Sequence, residues 1–137
     1  VYIIVQLARY KNVITTQLHT YQKKGNPPFP SKEWQIALYY IRWNGKTAIH
    51  KRGSGDIWQG LWTVPESEHL TPRLRKTAIL LQKGVKHVLT HRILLADFYL
   101  LSPKERPSLP EDFIWIDEKD IENYGIPRLM EKLISLA

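Results

Sequence analysis

Cysteine is absent from this chain of 137 residues, and methionine occurs once. Without a thiol there can be no disulfide, no thiolate zinc site, no cysteine-ligated iron–sulfur cluster and no cysteine nucleophile, and the composition suits a reducing compartment. Long apolar runs are missing too. The opening Val1-Tyr2-Ile3-Ile4-Val5-Gln6-Leu7-Ala8-Arg9 is too short to span a bilayer and has neither the basic leader nor the small-residue cleavage site of a signal peptide. A soluble, cytoplasmic chain with no membrane partner is therefore expected. No initiator methionine stands at the start, as expected of a piece of a longer polypeptide. Repeats and low-complexity tracts are lacking as well, and the length suits one domain.

What is present is the balance of a folding chain: 43% hydrophobic and 24% charged residues, with 5 Trp, 7 Tyr and 3 Phe. Lys and Arg number 20 against 13 Asp and Glu, a net charge of +7. The excess is uneven. Residues 1–93 carry 15 Lys/Arg and 4 Asp/Glu, a net of +11, whereas residues 94–137 carry 5 and 9, a net of −4. A basic first two thirds suits a polyanionic partner such as nucleic acid; a solvated basic face is the plainer alternative.

Lys23-Lys24-Gly25-Asn26-Pro27-Pro28-Phe29-Pro30-Ser31 forbids both helix and ladder, and divides the chain into a segment 1–28 and a domain 29–137. Before it, Ile3, Leu7, Tyr10, Ile14, Leu18 and Tyr21 recur at helical spacing, although β-branched runs in the same stretch suit strands. After it, Trp34 to Trp43 and Lys46 to Arg52 flank Asn44-Gly45, a strong hairpin signal. Gly53 to Asp56 makes a loop. Trp58, Leu61 and Trp62 are expected to pack as core beneath it. Thr71-Pro72 opens a helix that should run to Gly84, with Leu74, Ala78 and Leu81 as its buried stripe and Arg73, Arg75, Lys76 and Lys83 off it. His87 to Leu101 reads as one or two strands, Phe113 to Ile116 as a short one, and Ile126 to Leu136 as a helix burying Leu129, Met130 and Leu133. The order is that of an α+β fold.

Several chemistries fail on spacing. Gly45-Lys46-Thr47 lacks the upstream glycine of a phosphate loop, since Tyr40 stands there, and Gly53-Ser54-Gly55 lacks the third glycine of a dinucleotide loop, since Trp58 does. His87 and His91 would lie on one face of a strand but about 13 Å apart, too far to share a metal. No Ser-His-Asp set can be assembled from spacing alone.

Three segments speak together: Lys51-Arg52 through Ile57-Trp58-Gln59-Gly60-Leu61-Trp62-Thr63-Val64-Pro65, then His87-Val88-Leu89-Thr90-His91-Arg92, then Tyr124-Gly125-Ile126-Pro127-Arg128-Leu129-Met130. In that order, over roughly Phe29 to Leu136, they resemble the C-terminal domain of MutY-type adenine DNA glycosylases. The resemblance implies a Nudix-like mixed sheet flanked by helices. It also implies a duplex DNA partner carrying 8-oxoguanine opposite adenine, and a separate N-terminal catalytic domain that excises the adenine. That catalytic domain carries the family's carboxylates and its 4Fe-4S cluster, neither of which this chain can hold, so the chain is expected to have no catalytic residue, cofactor or metal of its own.

Oxidation at C8 turns guanine N7 from an acceptor into a donor and adds a carbonyl acceptor beside it. A hydroxyl meets both demands, so Thr90, at the family's Ser/Thr position, is the expected lesion contact, flanked by Leu89 and His91. Leu89 departs from the phenylalanine of many relatives, and core packing is its plainer role. Lys51, Arg52, His87, Arg92, Arg73, Arg75 and Lys76 are the candidate phosphate contacts. Two other readings stand beside this one. A Nudix-type nucleotide hydrolase would need a carboxylate cluster for Mg²⁺, yet Thr71 to Gly84 holds no Asp or Glu. A protein-interaction module would use the acidic stretch from Glu105 to Glu122 or exposed tryptophans.

Overall fold

A computed structural model describes residues 32–137. The expected segment 1–28 and the proline-rich boundary lie outside the described residues. Among the described residues six strands form two three-stranded sheets: β1 (Lys32–Ile41), β4 (Ile79–Val88) and β5 (Arg92–Leu101) in one, and β2 (Lys46–Lys51), β3 (Trp62–Thr63) and β6 (Phe113–Asp117) in the other. Among the described residues there are also two helices, α1 (Pro72–Lys76) and α2 (Arg128–Leu136), and 3-10 turns at Ser67–His69 and Glu118–Asn123. Among the described residues no helix is long and apolar enough to cross a membrane.

The Asn44-Gly45 turn forms as its chemistry requires, with φ of 49° and 74°, the positive pair of a type I′ turn. The expected hairpin does not follow. Only Trp43 and Lys46 bridge, and the strands then part: β1 runs parallel to β5 from Lys32↔Arg92 to Ile41↔Leu101, while β2 becomes the centre of the other sheet, between β3 and β6. Thr47 to His50 are buried in succession, so β2 needs cover on both faces and a partner on both edges.

The helix after Thr71 also departs from expectation. Thr71 caps it, accepting from the Leu74 amide at 3.2 Å, and Pro72 takes its first position, but it ends at Lys76. From Ile79 the chain is strand, antiparallel to β5 from Ile79↔Leu100 to Val88↔Ile93. The stripe read as helical is divided: Leu74 and Ala78 pack with Tyr39 and Leu101, whereas Leu81 joins the larger cluster on the opposite side of the sheet. Gly84 is needed for its positive φ of 67°, not as a helix stop but inside a bulge, where its amide donates to Asp97 Oδ1 at 2.8 Å. The ladder offered by β5 outweighs local helix propensity.

The main core lies on the inner face of the β1/β5/β4 sheet, where Trp34, Ile36, Leu38, Leu94 and Phe98 meet the buried side of α2, Leu129, Met130 and Leu133. That stripe on α2 is the one its spacing predicts. A smaller cluster on the outer face packs Leu70 and Leu74 over Tyr39, which stacks on Tyr99 at 4.7 Å between ring centroids.

Candidate nucleic-acid interface

The segment with the strongest motif turns its charges inward. Arg52, at the end of β2, is 2% exposed. Its Nε donates to Asp56 Oδ2 at 2.8 Å and its Nη1 to Glu66 Oε2 and, at 3.3 Å, to Thr63 Oγ1, while the guanidinium lies over the Trp58 ring. Burial works against its charge, yet Glu66 and Asp56 outweigh that and hold the group protonated above its ordinary range. Asp56 also accepts from the Trp58 amide at 2.9 Å, which ties the loop to the core. Arg52 is thus a loop anchor and not the expected phosphate contact, because two buried carboxylates already neutralise it. Trp58 is core as expected, and Trp62 packs edge-on to Tyr124. Lys51, one residue earlier, points outward and is exposed.

The cations of α1 divide similarly. Arg73 and Lys76 are exposed, but Arg75 donates through Nη1 to the carbonyls of Ser67 and Leu70 at 2.7 and 3.0 Å, closing the preceding 3-10 turn, so its expected phosphate role is corrected to a structural one. Leu74 of α1 packs at the Tyr39/Tyr99 end of the sheet. At 3.3 Å per residue that end lies about 25 Å along β5 from Arg92. Arg73 and Lys76 therefore do not share a footprint with the loop that begins β5.

That loop is Thr90-His91, between β4 and β5. The Leu89 amide donates to the Arg92 carbonyl at 2.7 Å, and neither loop residue has positive φ, so the connection is not one of the tight primed hairpin turns. Both Thr90 and His91 are exposed, and their amides have no backbone partner among the described residues. The flanks hold the loop in place. Leu89, one of the expected lesion contacts, is half-buried and packs against the main core, the plainer role named for it. Arg92 lays its guanidinium over Trp34, 5.5 Å from the ring centroid, and donates from Nη1 to the His91 carbonyl at 2.6 Å. It positions the loop, which leaves it less free for phosphate than expected.

His87 stands two residues before Leu89, half-buried on the same face of β4 as Val85 and Leu89, which pack against the main core. Burial, then Lys132, then Arg128 push its imidazole below the ordinary histidine range. Arg128 and Lys132 are both exposed on α2. They were missed as site residues in the sequence, although their i,i+4 spacing just off the Leu129/Leu133 stripe was a readable signal.

A cleft of about 600 Å³ lies against the outer face of β1 and β5, lined by Gln35, Ala37, Glu66, Glu68, Arg75 and Asp97 among others. Glu66 is engaged by Arg52, and α1 has no carboxylate to offer. Among the described residues no group of three or more His, Asp or Glu could hold a metal ion. The donor set does not fit the Mg²⁺ cluster that pyrophosphate hydrolysis on this kind of fold requires.

The family described as NUDIX domain matches residues 37–136, and the chain belongs to it. Among solved structures it is similar to the C-terminal domain of mouse MUTYH, crystallised in complex with human PCNA, at 16% identity and a TM-score of 0.59, covering 74% of this chain and 85% of that one. It is also similar to the MutT NUDIX hydrolase from Burkholderia pseudomallei, at 16% identity and a TM-score of 0.57 over 77% of this chain and 98% of that one. The MutT protein from Methanosarcina mazei Go1 shares 14% identity with a TM-score of 0.54, over 79% and 94%. Among curated proteins none matches the sequence. At these identities the likenesses establish the Nudix-like α+β fold.

Proposed function

We propose that this is the lesion-reading domain of a MutY-type adenine DNA glycosylase, which recognises 8-oxoguanine opposite adenine through the Thr90-His91 loop. The observation that carries the reading is that loop: at the position of the family's Ser/Thr-His pair, two exposed residues whose amides have no backbone partner among the described residues stand at the end of a strand, with flanks anchored by Leu89 and Arg92. The Thr90 hydroxyl accepts from N7–H of the lesion and donates to a neighbouring acceptor, and a loop amide donates to the C8 carbonyl. Undamaged guanine presents N7 as an acceptor, so the same groups lose a partner. His91 lies beside the phosphate of the read nucleotide.

The domain binds and orients; bond breaking belongs to an N-terminal catalytic domain, which is the second partner of this reading and works on the flipped adenine in the cytoplasm. Fluorescence anisotropy with duplexes carrying 8-oxoguanine·adenine or guanine·adenine tests the reading. Preference for the lesion should be about tenfold and should vanish in Thr90→Val, in line with roughly 1 to 3 kcal/mol for a good base contact. Equal affinity of the wild-type chain for both duplexes would overturn it.

The MutT likeness favours a second reading, a nucleotide hydrolase. Release of pyrophosphate or phosphate from nucleoside triphosphates in the presence of Mg²⁺ would establish it. The lack of a carboxylate on α1 predicts none.

A further inference from the structure

We infer that the free edge of β4 is a docking strip for an extended segment of a partner protein, one that carries an acidic and an apolar residue two positions apart and joins the sheet as a further strand. The inference goes beyond the DNA-binding reading above and does not rest on it. In the strand order β1-β5-β4, β5 is paired on both sides, whereas β1 and β4 lie at the margins. The margin of β1 is engaged: Leu38 bridges to Glu66, and the Tyr39 amide donates to the Pro65 carbonyl at 2.9 Å. Over its ten residues β4 has, beyond its ladder with β5, no backbone partner among the described residues. A strand edge of that length presents a row of unpaired amides and carbonyls, the template on which another strand pairs.

What the strip displays defines its partner. Ile79, Leu80 and Val88, at 60%, 48% and 66% exposure, are the three most open large apolar side chains among the described residues, and all three stand on this strand. From Val85↔Ala96 to Val88↔Ile93 the ladder is regular, past the bulges around Gln82. Val85 packs there against the main core, and alternation sends Lys86 and Val88 to the opposite face, where both are exposed. A strand laid alongside sets one residue beside Lys86 and, two positions along on the same face, another beside Val88. A carboxylate suits the first and an aliphatic side chain the second. Lys83, also exposed, extends the positive edge, and from His69 to Ala96 the chain carries no Asp or Glu. Asp97 on β5 is held by the Gly84 amide.

The same features disfavour two other occupants. A second copy would bring a like-charged edge, Lys83 and Lys86, against this one, and the bulges interrupt a long ladder; edge lysines and bulges are the devices by which natural sheets avoid self-pairing. A DNA backbone would pair with the lysines but has no use for the apolar side chains or the unpaired carbonyls.

The test uses the full chain and a fluorescein-labelled probe, acetyl-Thr-Glu-Thr-Val-Thr-Glu-Thr-amide, read by anisotropy and by hydrogen exchange of the β4 amides. The probe should bind about fivefold more tightly than its counterpart with Lys in place of Glu, and should slow exchange within Val85–Val88. Lys83→Glu/Lys86→Glu should reverse that preference; both positions are exposed, so unchanged thermal unfolding confirms a folded variant. A probe N-methylated along its backbone keeps the charges but cannot form a ladder, and should not bind the wild-type chain. Equal binding of the acidic and basic probes, equal binding of the N-methylated probe, or protection outside β4 would overturn the inference. So would protection of β4 by self-association at high concentration, which assigns the edge to a second copy, or by a guanine·adenine duplex but not by the probe, which assigns it to DNA. Lesion preference is measured on a separate ligand, and its loss would leave this result standing.

Discussion

The two basic regions of this domain look alike in sequence and differ in what the fold does with their charge. Around Arg52 the cation is buried, bonded to Asp56, Glu66 and Thr63, and its charge is consumed by the loop it anchors. Around the Thr90-His91 loop the side chains are exposed, and on α2 Arg128 and Lys132 lie at the surface with no ion pair to a described residue. The charge of the first region holds the structure, whereas that of the second stays at the surface. Adjacency to a family motif does not make a cation a ligand-binding group when buried carboxylates already engage it.

The comparison breaks most visibly on stability. Arg52→Met should cost about 3 to 5 kcal/mol in urea unfolding, because it strands two buried carboxylates, whereas replacing Arg52, Asp56 and Glu66 together by apolar residues should recover much of that loss. A single variant with less than 1 kcal/mol of effect would remove the anchor role. Arg128→Gln/Lys132→Gln, by contrast, should leave unfolding unchanged or slightly strengthen the fold by relieving repulsion.

A smaller effect is expected at His50, buried in β2 with Nδ1 3.1 Å from Asp112 and its ring stacked on Phe113. Burial, opposed by Asp112, holds its imidazole below the ordinary range. The folded state thus binds the proton more weakly than the unfolded chain. Its contribution to stability is complete above the unfolded pKa of about 6.5 and is lost as pH falls through the depressed value. Urea midpoints at pH 7.5 and 5.5 should differ more in the wild type than in His50→Gln.

Gly84→Ala should cost about 1 kcal/mol, from the positive φ alone, since an added Cβ there meets nothing within 4 Å. Thermal unfolding checks it, and a neutral result would show that the bulge tolerates a shift. The smallest change belongs to Thr90→Val, which should leave stability within about 0.5 kcal/mol, the range of an exposed site, while altering lesion preference. A large loss of stability there would place Thr90 in the scaffold rather than at the interface.

Much of the fold was legible. Thr71 as N-cap, Asn44-Gly45 as a primed turn, β6 and the buried stripe of α2 were each carried by a few adjacent residues whose backbone preferences or periodicity act locally. The reading failed where one pattern served two structures. Leu74, Ala78 and Leu81 fit a helix, yet the sheet takes the chain from Ile79 onward and sends Leu81 to the other side. Gly84 announced positive φ correctly but not its setting. In the candidate site the Thr90-His91 loop is exposed, while Arg52 and Arg75 were misjudged because their acceptors lie up to 14 residues away and become neighbours only after folding.

By itself, then, the sequence determined the absence of thiol chemistry, the α+β class, the local turns and caps, and the motif order that marks the family. These depend on composition and on contacts within a few residues, which any folded context preserves. Only the tertiary structure decided that β1 leaves its hairpin partner for β5, that a predicted helix becomes β4, and which cations are engaged by buried carboxylates. Ladder partners and counter-ions are supplied by residues distant in the chain, and the low dielectric of the interior makes their presence or absence decisive.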